Sequence, residues 1–276
     1  MPEGDSVYLA ARRMHQGLAG QLLRRTDFRV PHLATTDLAG RHVLAVIPRG
    51  KHMLTRIEGG VTLHTHFKMD GTWHLYRPRQ RWQGPLWQVR VVLETAERVA
   101  VGFRLPVVEL IPTAKESEVV GHLGPDLLGP DWDADEALRR LRSQPEREIG
   151  TALLDQRNLA GLGNLWRCEV LFLRGLNPWI PVGEVPDLPA VVDLSYRMLQ
   201  ANKDRPAQTS TGSTLRGQTS YVVGRARKPC RRCGTLIHKR EQGVAPQQRE
   251  TYWCPHCQAA PSRPAAAQPA VGGASG

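Results

Sequence analysis

Two closely spaced cysteine pairs near the C-terminus constrain the fold more than any other feature of this sequence. They are Cys230-Arg231-Arg232-Cys233 and Cys254-Pro255-His256-Cys257, with residues 234–253 between them. This spacing is typical of one zinc ion held by four thiolates at the tip of a β-hairpin, whose strands would be 236–238 and 251–253. Because four thiolates fill a tetrahedral coordination sphere, the predicted zinc is structural and offers no position to a substrate.

The first half of the chain has a β-rich pattern behind one amphipathic helix. Apolar residues recur at three- and four-residue spacing from Ser6 to Leu23, which predicts a helix there. Short β-like stretches then follow, with Gly59-Gly60 as a hairpin turn between two of them. The stretches are 43–47, 53–57, 61–66, 72–76, 87–93 and 99–103. They predict an antiparallel sandwich or barrel.

The second half is predicted to be helical. A Gly- and Pro-rich passage, 121–130, marks the boundary, and helices are predicted at 133–142, 147–154, 165–173 and 189–201. The fold class is therefore α+β with two domains, which we place at 1–125 and 126–225. The four-cysteine finger would span 226–258, and 259–276, rich in Ala, Pro and Gly, is expected to be disordered.

A glycine-bearing link, Asp155 to Asn164, joins two of the predicted helices. Its glycines allow tight bends, and the second helix begins with backbone amides that have no partner inside the helix. Such amides are a natural cradle for a phosphate group. A plain helical hairpin explains the same residues equally well.

The charge balance favours a nucleic-acid partner. The sequence has 37 Lys and Arg against 26 Asp and Glu, a net charge of +11. A polyanion is therefore a better partner than an acidic protein, although a basic chain without such a partner is the plain alternative. There is no apolar run long enough to span a bilayer and no secretory signal pattern, so we expect a cytoplasmic protein with reduced cysteines.

The N-terminal residues Met1-Pro2-Glu3-Gly4 offer an unusual nucleophile. Removal of the methionine would leave Pro2 with a free secondary amine, and α-amino groups titrate well below lysine. Such an amine can attack a sugar or carbonyl carbon to form an iminium ion, and Glu3 is placed to donate or accept the proton. The alternative is that these residues are simply a soluble start.

Taken together, Pro2-Glu3-Gly4, the β-rich half, the link ending Gly161-Leu162-Gly163-Asn164 and the finger ending Cys254-Pro255-His256-Cys257-Gln258 resemble the Fpg/Nei DNA glycosylases. The resemblance covers all but the tail. It implies a helix-two-turn-helix second domain and a bifunctional enzyme that removes an oxidised base and then cleaves the abasic strand. Pro2 would be the nucleophile, Glu3 the acid/base, and Lys51 the hairpin lysine that holds a phosphate beside the lesion.

Four further residues match DNA-contacting positions of that family. His66 would contact a phosphate, and Met69 would fill the gap left by the extruded nucleotide, although a buried core methionine is an equal alternative. Asn164 and Arg249 match the asparagine and the finger arginine that hold the phosphates flanking the lesion. The implied partner is double-stranded DNA with oxidised bases or abasic sites, and the implied enzyme is a monomer.

Three stretches depart from the family pattern. Asp5-Ser6 stand where many members have Pro-Glu, so a second active-site carboxylate is missing in register. The finger loop 241–248 is longer than usual, and 101–106 does not reproduce the loop that reads the opposite base in the Fpg branch.

The short stretch 217–222 stands where the Fpg branch carries a long loop that caps 8-oxoguanine. Together with the Pro-Glu-Gly start, it favours the Nei-like branch and oxidised pyrimidines. Two alternatives stay open: a noncatalytic zinc-finger DNA-binding protein, and an abasic-site lyase with weak glycosylase activity. Pro2, Glu3 and Lys51 separate the first of these from an enzyme, since DNA binding alone does not require them.

Overall fold

Two four-stranded antiparallel sheets form the first half of the chain in the computed structural model, which describes residues 2–259. One sheet has the strand order β1-β6-β7-β5 and the other β2-β3-β4-β8. The strands are β1 Arg25–Phe28, β2 Val43–Arg49, β3 His52–Ile57, β4 Val61–His66, β5 Thr72–Tyr76, β6 Val89–Glu94, β7 Val99–Phe103 and β8 Val107–Pro112. The predicted antiparallel sandwich is confirmed, and the two strands that the sequence pattern missed, β1 and β8, are both sheet edges.

The first helix, α1 (Gly4–Leu18), lies against this sandwich and begins two residues from Pro2. Its buried residues Val7, Met14 and Leu18 join the core of the sandwich. Burying side chains of this size stabilises a fold by about 1.5–3 kcal/mol each, so the helix is firmly anchored. The helix ends five residues before the predicted Leu23, because Gly20 takes a positive φ of 77° and Leu22 pairs with His42.

The second half contains the predicted helices around their own core. They are α3 Ala134–Arg142, α4 Ile149–Leu154, α5 Asn164–Leu173 and α6 Leu188–Asn202, and a short helix that the sequence did not predict, α2 Glu116–Val120, precedes them. Asp133 caps α3 by accepting a hydrogen bond from Glu136 N at 3.0 Å. Trp166 of α5 is fully buried at the centre of this core. No helix within residues 2–259 is long and apolar enough to cross a membrane.

The finger contains a two-stranded hairpin, β9 (His238–Gln242) and β10 (Arg249–Trp253). His238 pairs with Trp253 beside the cysteines, and Gln242 pairs with Arg249 at the far end. The prediction that 236–238 forms the first strand was wrong, since Leu236 pairs with Pro229 instead. The cysteines therefore lie at the open end of the hairpin, and the turn reaches away from them. Residues 260–276 of the predicted tail, 259–276, lie outside the described residues.

Candidate active site and zinc centre

The carboxylate of Glu3 is buried against the first turn of α5, although the two segments are 162 residues apart. Its Oε1 accepts a hydrogen bond from Leu165 N at 2.7 Å, and its Oε2 accepts one from Trp166 N at 3.4 Å. Amides at a helix start have no partner within the helix and favour negative charge. The amides that the sequence offered as a phosphate cradle thus hold Glu3 instead, and that interpretation is corrected.

Two glycines allow this close approach. A Cβ added at Gly163 would lie 2.2 Å from Glu3 Cδ, which is a severe collision. Gly4 N donates to Gly161 O at 2.9 Å, and a Cβ added at Gly4 would lie 2.7 Å from Gly161 Cα. The glycines of the link therefore serve to dock the N-terminal segment as well as to turn the chain.

Burial raises the pKa of Glu3 to about 7. The positive charge of Lys51 opposes this rise, the negative charge of Asp5 adds to it, and the amides of Leu165 and Trp166 oppose it. At neutral pH the carboxyl group is therefore divided between its protonated and ionised forms. This is the condition that suits a group that both donates and accepts protons.

Lys51 lies in the turn between β2 and β3, which is held against the second domain. Gly50 takes a positive φ of 57°, and its amide donates to the buried carboxylate of Asp126 at 2.6 Å. Burial lowers the pKa of Lys51, Glu3 opposes this, and the charge of Arg249 adds to it. The fold therefore brings together Glu3, Lys51 and Arg249, which come from three separate segments.

Asp5 supplies a second buried carboxylate close to Glu3. It is 2% exposed and accepts hydrogen bonds from Gln208 Nε2 at 2.8 and 3.0 Å and from Trp166 Nε1 at 3.2 Å. Burial raises its pKa, and these donors oppose the rise. Many members of the family carry a carboxylate at the position of Ser6. In this chain a buried carboxylate lies one residue earlier, at Asp5.

His66 and Met69 lie at the end of β4 and in the turn that follows it. His66 Nδ1 accepts a hydrogen bond from Lys68 N at 2.9 Å, so a neutral ring carries its proton on Nε2. Burial and the charge of Lys51 lower the pKa of His66 to about 4. Met69 is 56% exposed, which removes the buried-core interpretation of this residue.

The finger meets the start of α5 through a buried arginine. Arg167 is fully buried and donates to Gln242 Oε1 at 2.9 Å, to Thr251 Oγ1 at 2.7 Å and to Asn164 Oδ1 at 2.6 Å. Asn164 Nδ2 in turn donates to Glu250 O at 2.8 Å. Arg249, one residue earlier, is exposed. The predicted pair Asn164 and Arg249 therefore lies at one junction of helix and hairpin.

The four cysteines form a group whose geometry fits one zinc ion. Their sulfur atoms all lie within 4.8 Å of one another, with Cys230 Sγ 3.9 Å from Cys257 Sγ and Cys233 Sγ 3.5 Å from Cys254 Sγ. Zn–S bonds of about 2.3 Å in a tetrahedron require sulfur separations of about 3.8 Å. The finger is therefore a structural zinc site.

Comparisons with known proteins agree with this geometry. Family models match at residues 1–104, the formamidopyrimidine-DNA glycosylase N-terminal domain, at 123–185, its H2TH domain, and at 227–260, the zinc finger found in FPG and IleRS. A Streptomyces coelicolor protein described as probable endonuclease 8 2 is 57% identical, with 95% of each chain covered. The chain belongs to the Fpg/Nei family of DNA glycosylases and abasic-site lyases.

Two further proteins are similar to nearly the whole chain, one in sequence and one in structure. The Mycolicibacterium smegmatis DNA-(apurinic or apyrimidinic site) lyase Nei2 is 43% identical, covering 94% of this chain and all of that protein. The Lactococcus lactis Fpg, solved in complex with DNA containing an abasic site, superposes with a TM-score of 0.76 at 23% identity. It covers 94% of this chain and all of the other, and it shares the same fold.

Several site residues were missed by sequence reasoning. Gln208 and Asp126 carry no local signal, because their partners Asp5 and Gly50 lie far away in the chain. His52 and His64 could have been found, since His64 and His66 alternate on β4 and His52 follows Lys51 directly.

Proposed function

We propose that this DNA glycosylase and abasic-site lyase of base excision repair uses the amine of Pro2 as its nucleophile. The observation that carries the proposal is the carboxyl group of Glu3, the residue that follows Pro2, which is buried against the start of α5 and has a pKa raised to about 7. The amine attacks C1′ of the damaged nucleotide, the base leaves, and a Schiff base links Pro2 to the opened sugar. The α-amino group has a pKa near 8, so a useful fraction is nucleophilic at neutral pH.

Glu3 moves the protons of this reaction. In its protonated form it donates to the ring oxygen of the deoxyribose, which opens the sugar as the base departs. In its ionised form it accepts protons during the following β- and δ-eliminations. The helix amides of Leu165 and Trp166 hold the carboxyl group in place through both forms.

Four residues from separate segments hold the phosphates around the lesion. Lys51 presents a half-buried ammonium group whose charge acts on Glu3, and His66 presents the Nε2 proton of its ring. Asn164 and Arg249 lie together where α5 meets the hairpin of the finger. Phosphate contacts position the duplex without reading its sequence, which suits an enzyme that must act at any damaged site.

Met69 fills the gap in the base stack. Its side chain is 56% exposed on a turn, next to Lys68 with a positive φ of 46°. An apolar side chain inserted in the stack offsets part of the stacking lost when a nucleotide is extruded.

The substrate is an oxidised pyrimidine in chromosomal DNA, which places the enzyme in the bacterial cytoplasm. The stretch 217–222 is short, and the loop around it closes on itself through Ser210 N to Thr219 O at 2.8 Å. The same region in the Fpg branch carries a capping loop for 8-oxoguanine. The curated relatives described as endonuclease 8 support this choice of branch.

A second candidate is an abasic-site lyase with weak glycosylase activity. It uses the same amine, and the Mycolicibacterium smegmatis relative carries the name of a lyase. The ratio of single-turnover rates on an oxidised pyrimidine and on a preformed abasic site separates the two: a glycosylase cleaves both, whereas a lyase cleaves only the abasic duplex at an appreciable rate.

The test is borohydride trapping on duplex DNA that contains an oxidised pyrimidine or an abasic site, with an authentic processed N-terminus. We expect a covalent adduct with the untagged enzyme, and we expect an uncleaved N-terminal tag or Pro2→Gly to abolish or strongly reduce trapping, while DNA binding persists in both. Full trapping by the tagged enzyme would exclude Pro2 as the nucleophile.

A further inference from the structure

A cluster of histidines lies beside Lys51 on the β2-β3-β4-β8 sheet. The ring of His52 lies nearly parallel to that of His64, at 18° with centroids 5.1 Å apart, and it meets His66 edge-on at 4.6 Å and His122 edge-on at 6.4 Å. Neither the zinc site nor the proposed proton steps use His52, His64 or His122. The cluster nevertheless adjoins two of the residues proposed to hold phosphate.

A continuous hydrogen-bonded chain runs through this cluster to solvent. His52 Nδ1 lies 2.8 Å from His64 Nε2, and His64 Nδ1 lies 3.0 Å from Glu109 Oε2. The side chain of His64 is 3% exposed, whereas that of Glu109 is 51% exposed. The chain thus crosses from β8 through β4 to β3 and connects solvent with the half-buried ring of His52, next to Lys51.

The carboxylate fixes the tautomer of each ring in the neutral chain. An ionised carboxylate only accepts hydrogen bonds, so His64 carries its proton on Nδ1. His64 Nε2 then accepts from the Nδ1 proton of His52, which leaves His52 Nε2 without a proton. His66, whose Nδ1 accepts from Lys68 N, keeps its proton on Nε2.

We propose that this chain takes up one proton when a DNA phosphate binds beside Lys51 and His66. The proton adds to His52 Nε2, the Nδ1 proton of His52 passes to His64 Nε2, and the new positive charge lies on His64, opposite the carboxylate of Glu109. One proton enters and the charge rises by one, so no other reactant is required. The proposal rests on the phosphate contacts of the proposed function and makes Glu109 and His64 positioning residues.

The electrostatic surroundings disfavour a proton on His52, the ring at which the proton would enter, in the free protein. Burial, followed by the neighbouring His66, His64, His122 and Lys51, lowers the pKa of His52 to about 3 in the free protein. Lys68 adds positive charge near His66, and Glu3 offsets part of the charge of Lys51. A phosphate brings negative charge to the same place, which favours the protonated form.

The test compares Glu109→Gln with a matched control. The glutamine keeps a hydrogen-bond acceptor for His64 Nδ1 but removes the charge. The control is Glu58→Gln, because Glu58 Oε2 lies 3.0 Å from His42 Nδ1 in an equivalent pair that is exposed and outside the cluster. The probe is a duplex with a tetrahydrofuran abasic analogue, which binds without being cleaved.

Affinity is measured by fluorescence anisotropy between about pH 5.5 and 8.5 at constant ionic strength, the range in which histidine charge changes. A proton taken up on binding tightens affinity by up to about tenfold for each pH unit of acidification. We expect Glu109→Gln to lose at least about half of the wild-type slope and Glu58→Gln to retain it. Calorimetry in two buffers of different ionisation enthalpy counts the proton directly.

Equal slopes in Glu109→Gln and wild type would overturn the proposal, and so would a loss of affinity that is the same at every pH, since this would mark a merely structural role. Borohydride trapping by the wild type, run in parallel, keeps the two proposals apart. Trapping with unchanged slopes removes the proton-uptake chain alone, whereas failure of wild-type trapping removes the proposed nucleophile.

Discussion

The two ends of the chain bury polar groups in opposite ways. At the C-terminal end, four cysteines are grouped to hold one zinc ion, which would neutralise part of the charge of their thiolates and contribute directly to folding. At the N-terminal end, Glu3 and Asp5 are buried side by side, and burial raises the pKa of both carboxyl groups. One site stabilises the fold, and the other reduces its stability at neutral pH.

The zinc site therefore has a structural role, whereas the two buried carboxyl groups have the properties of a functional site. Two neighbouring buried carboxyl groups are a liability for stability, because burying a charge carries a large desolvation penalty. Groups with strongly shifted pKa values concentrate at functional sites for this reason. The four cysteines fill the coordination sphere of their zinc, whereas Glu3 and Asp5 remain ionisable groups with raised pKa values.

The largest expected effect is at the zinc site. Cys254→Ser removes one of four thiolates, and structural zinc binding contributes about 10–16 kcal/mol in isolated fingers. We expect zinc and DNA affinity to be lost together, because Arg249 and Asn164 depend on the hairpin. Metal analysis and DNA titration measure both. The sandwich, which has its own core, should still melt cooperatively, and retention of stoichiometric zinc would argue against the four-thiolate site.

The second-largest expected effect is on the rate of base excision. Glu3→Gln keeps an acceptor for Leu165 N but cannot donate or accept the proton, so glycosylase turnover should fall by about 10²- to 10⁴-fold. Single-turnover cleavage of a duplex with an oxidised pyrimidine measures this loss. The matched control is Glu58→Gln, because the carboxylate of Glu58 is exposed and pairs with His42 instead of with the residues around Glu3. A rate within a few fold of wild type would deny Glu3 its role.

Glu3→Gln should also stabilise the folded protein at high pH, whereas most substitutions of buried residues destabilise it. The folded-state pKa of Glu3 is raised from 4.5 to about 7, so its stabilising neutral form is fully present below pH 4.5 and is lost as the pH rises through 7. Glu3→Gln should therefore gain stability relative to wild type between those pH values, by about 3 kcal/mol at most. Urea unfolding at about pH 5 and pH 8 measures it. If the free energies of unfolding of the variant and the wild type differ by the same amount at both pH values, burial does not raise the pKa of Glu3.

The smallest effect concerns Asp5. Because the charge of Asp5 raises the pKa of Glu3, Asp5→Asn should move the alkaline limb of the rate profile to lower pH, by less than about one unit. The pH dependence of single-turnover base excision tests this. Gln208→Ala, which removes both hydrogen bonds from Gln208 Nε2 to Asp5, should move the limb in the same direction, because it raises the pKa of Asp5 and leaves less negative charge beside Glu3. Limbs that do not move would show that Asp5 is only a structural carboxylate.

The sequence predicted the zinc site more completely than the site of Glu3 and Asp5. The reason is how far apart along the chain the residues of each site lie. The zinc ligands lie within one short segment, so spacing alone identified them. Glu3 meets Leu165 across 162 residues and Asp5 meets Gln208 across 203, and no local pattern reports such contacts. The link glycines were correctly interpreted as placing amides at a helix start, but the anion that those amides hold was not predicted.

Elements of the fold show the same limit. Buried strands such as β6 and β7 carry strong apolar patterns and were predicted. The missed strands β1 and β8 are edges, where mixed residues and a terminal proline are tolerated because one side of the strand has no pairing partner in its sheet.

The most direct test of the central role of Pro2 is to locate the trapped adduct. After borohydride reduction on abasic DNA, nuclease and trypsin digestion followed by mass spectrometry should place the deoxyribose remnant on the peptide that begins at Pro2. The sequence contains six lysines that could compete, and half-buried Lys51 is the one whose charge lowers the pKa of Glu3. An adduct on Lys51 or on another lysine, with Pro2 unmodified, would contradict the account.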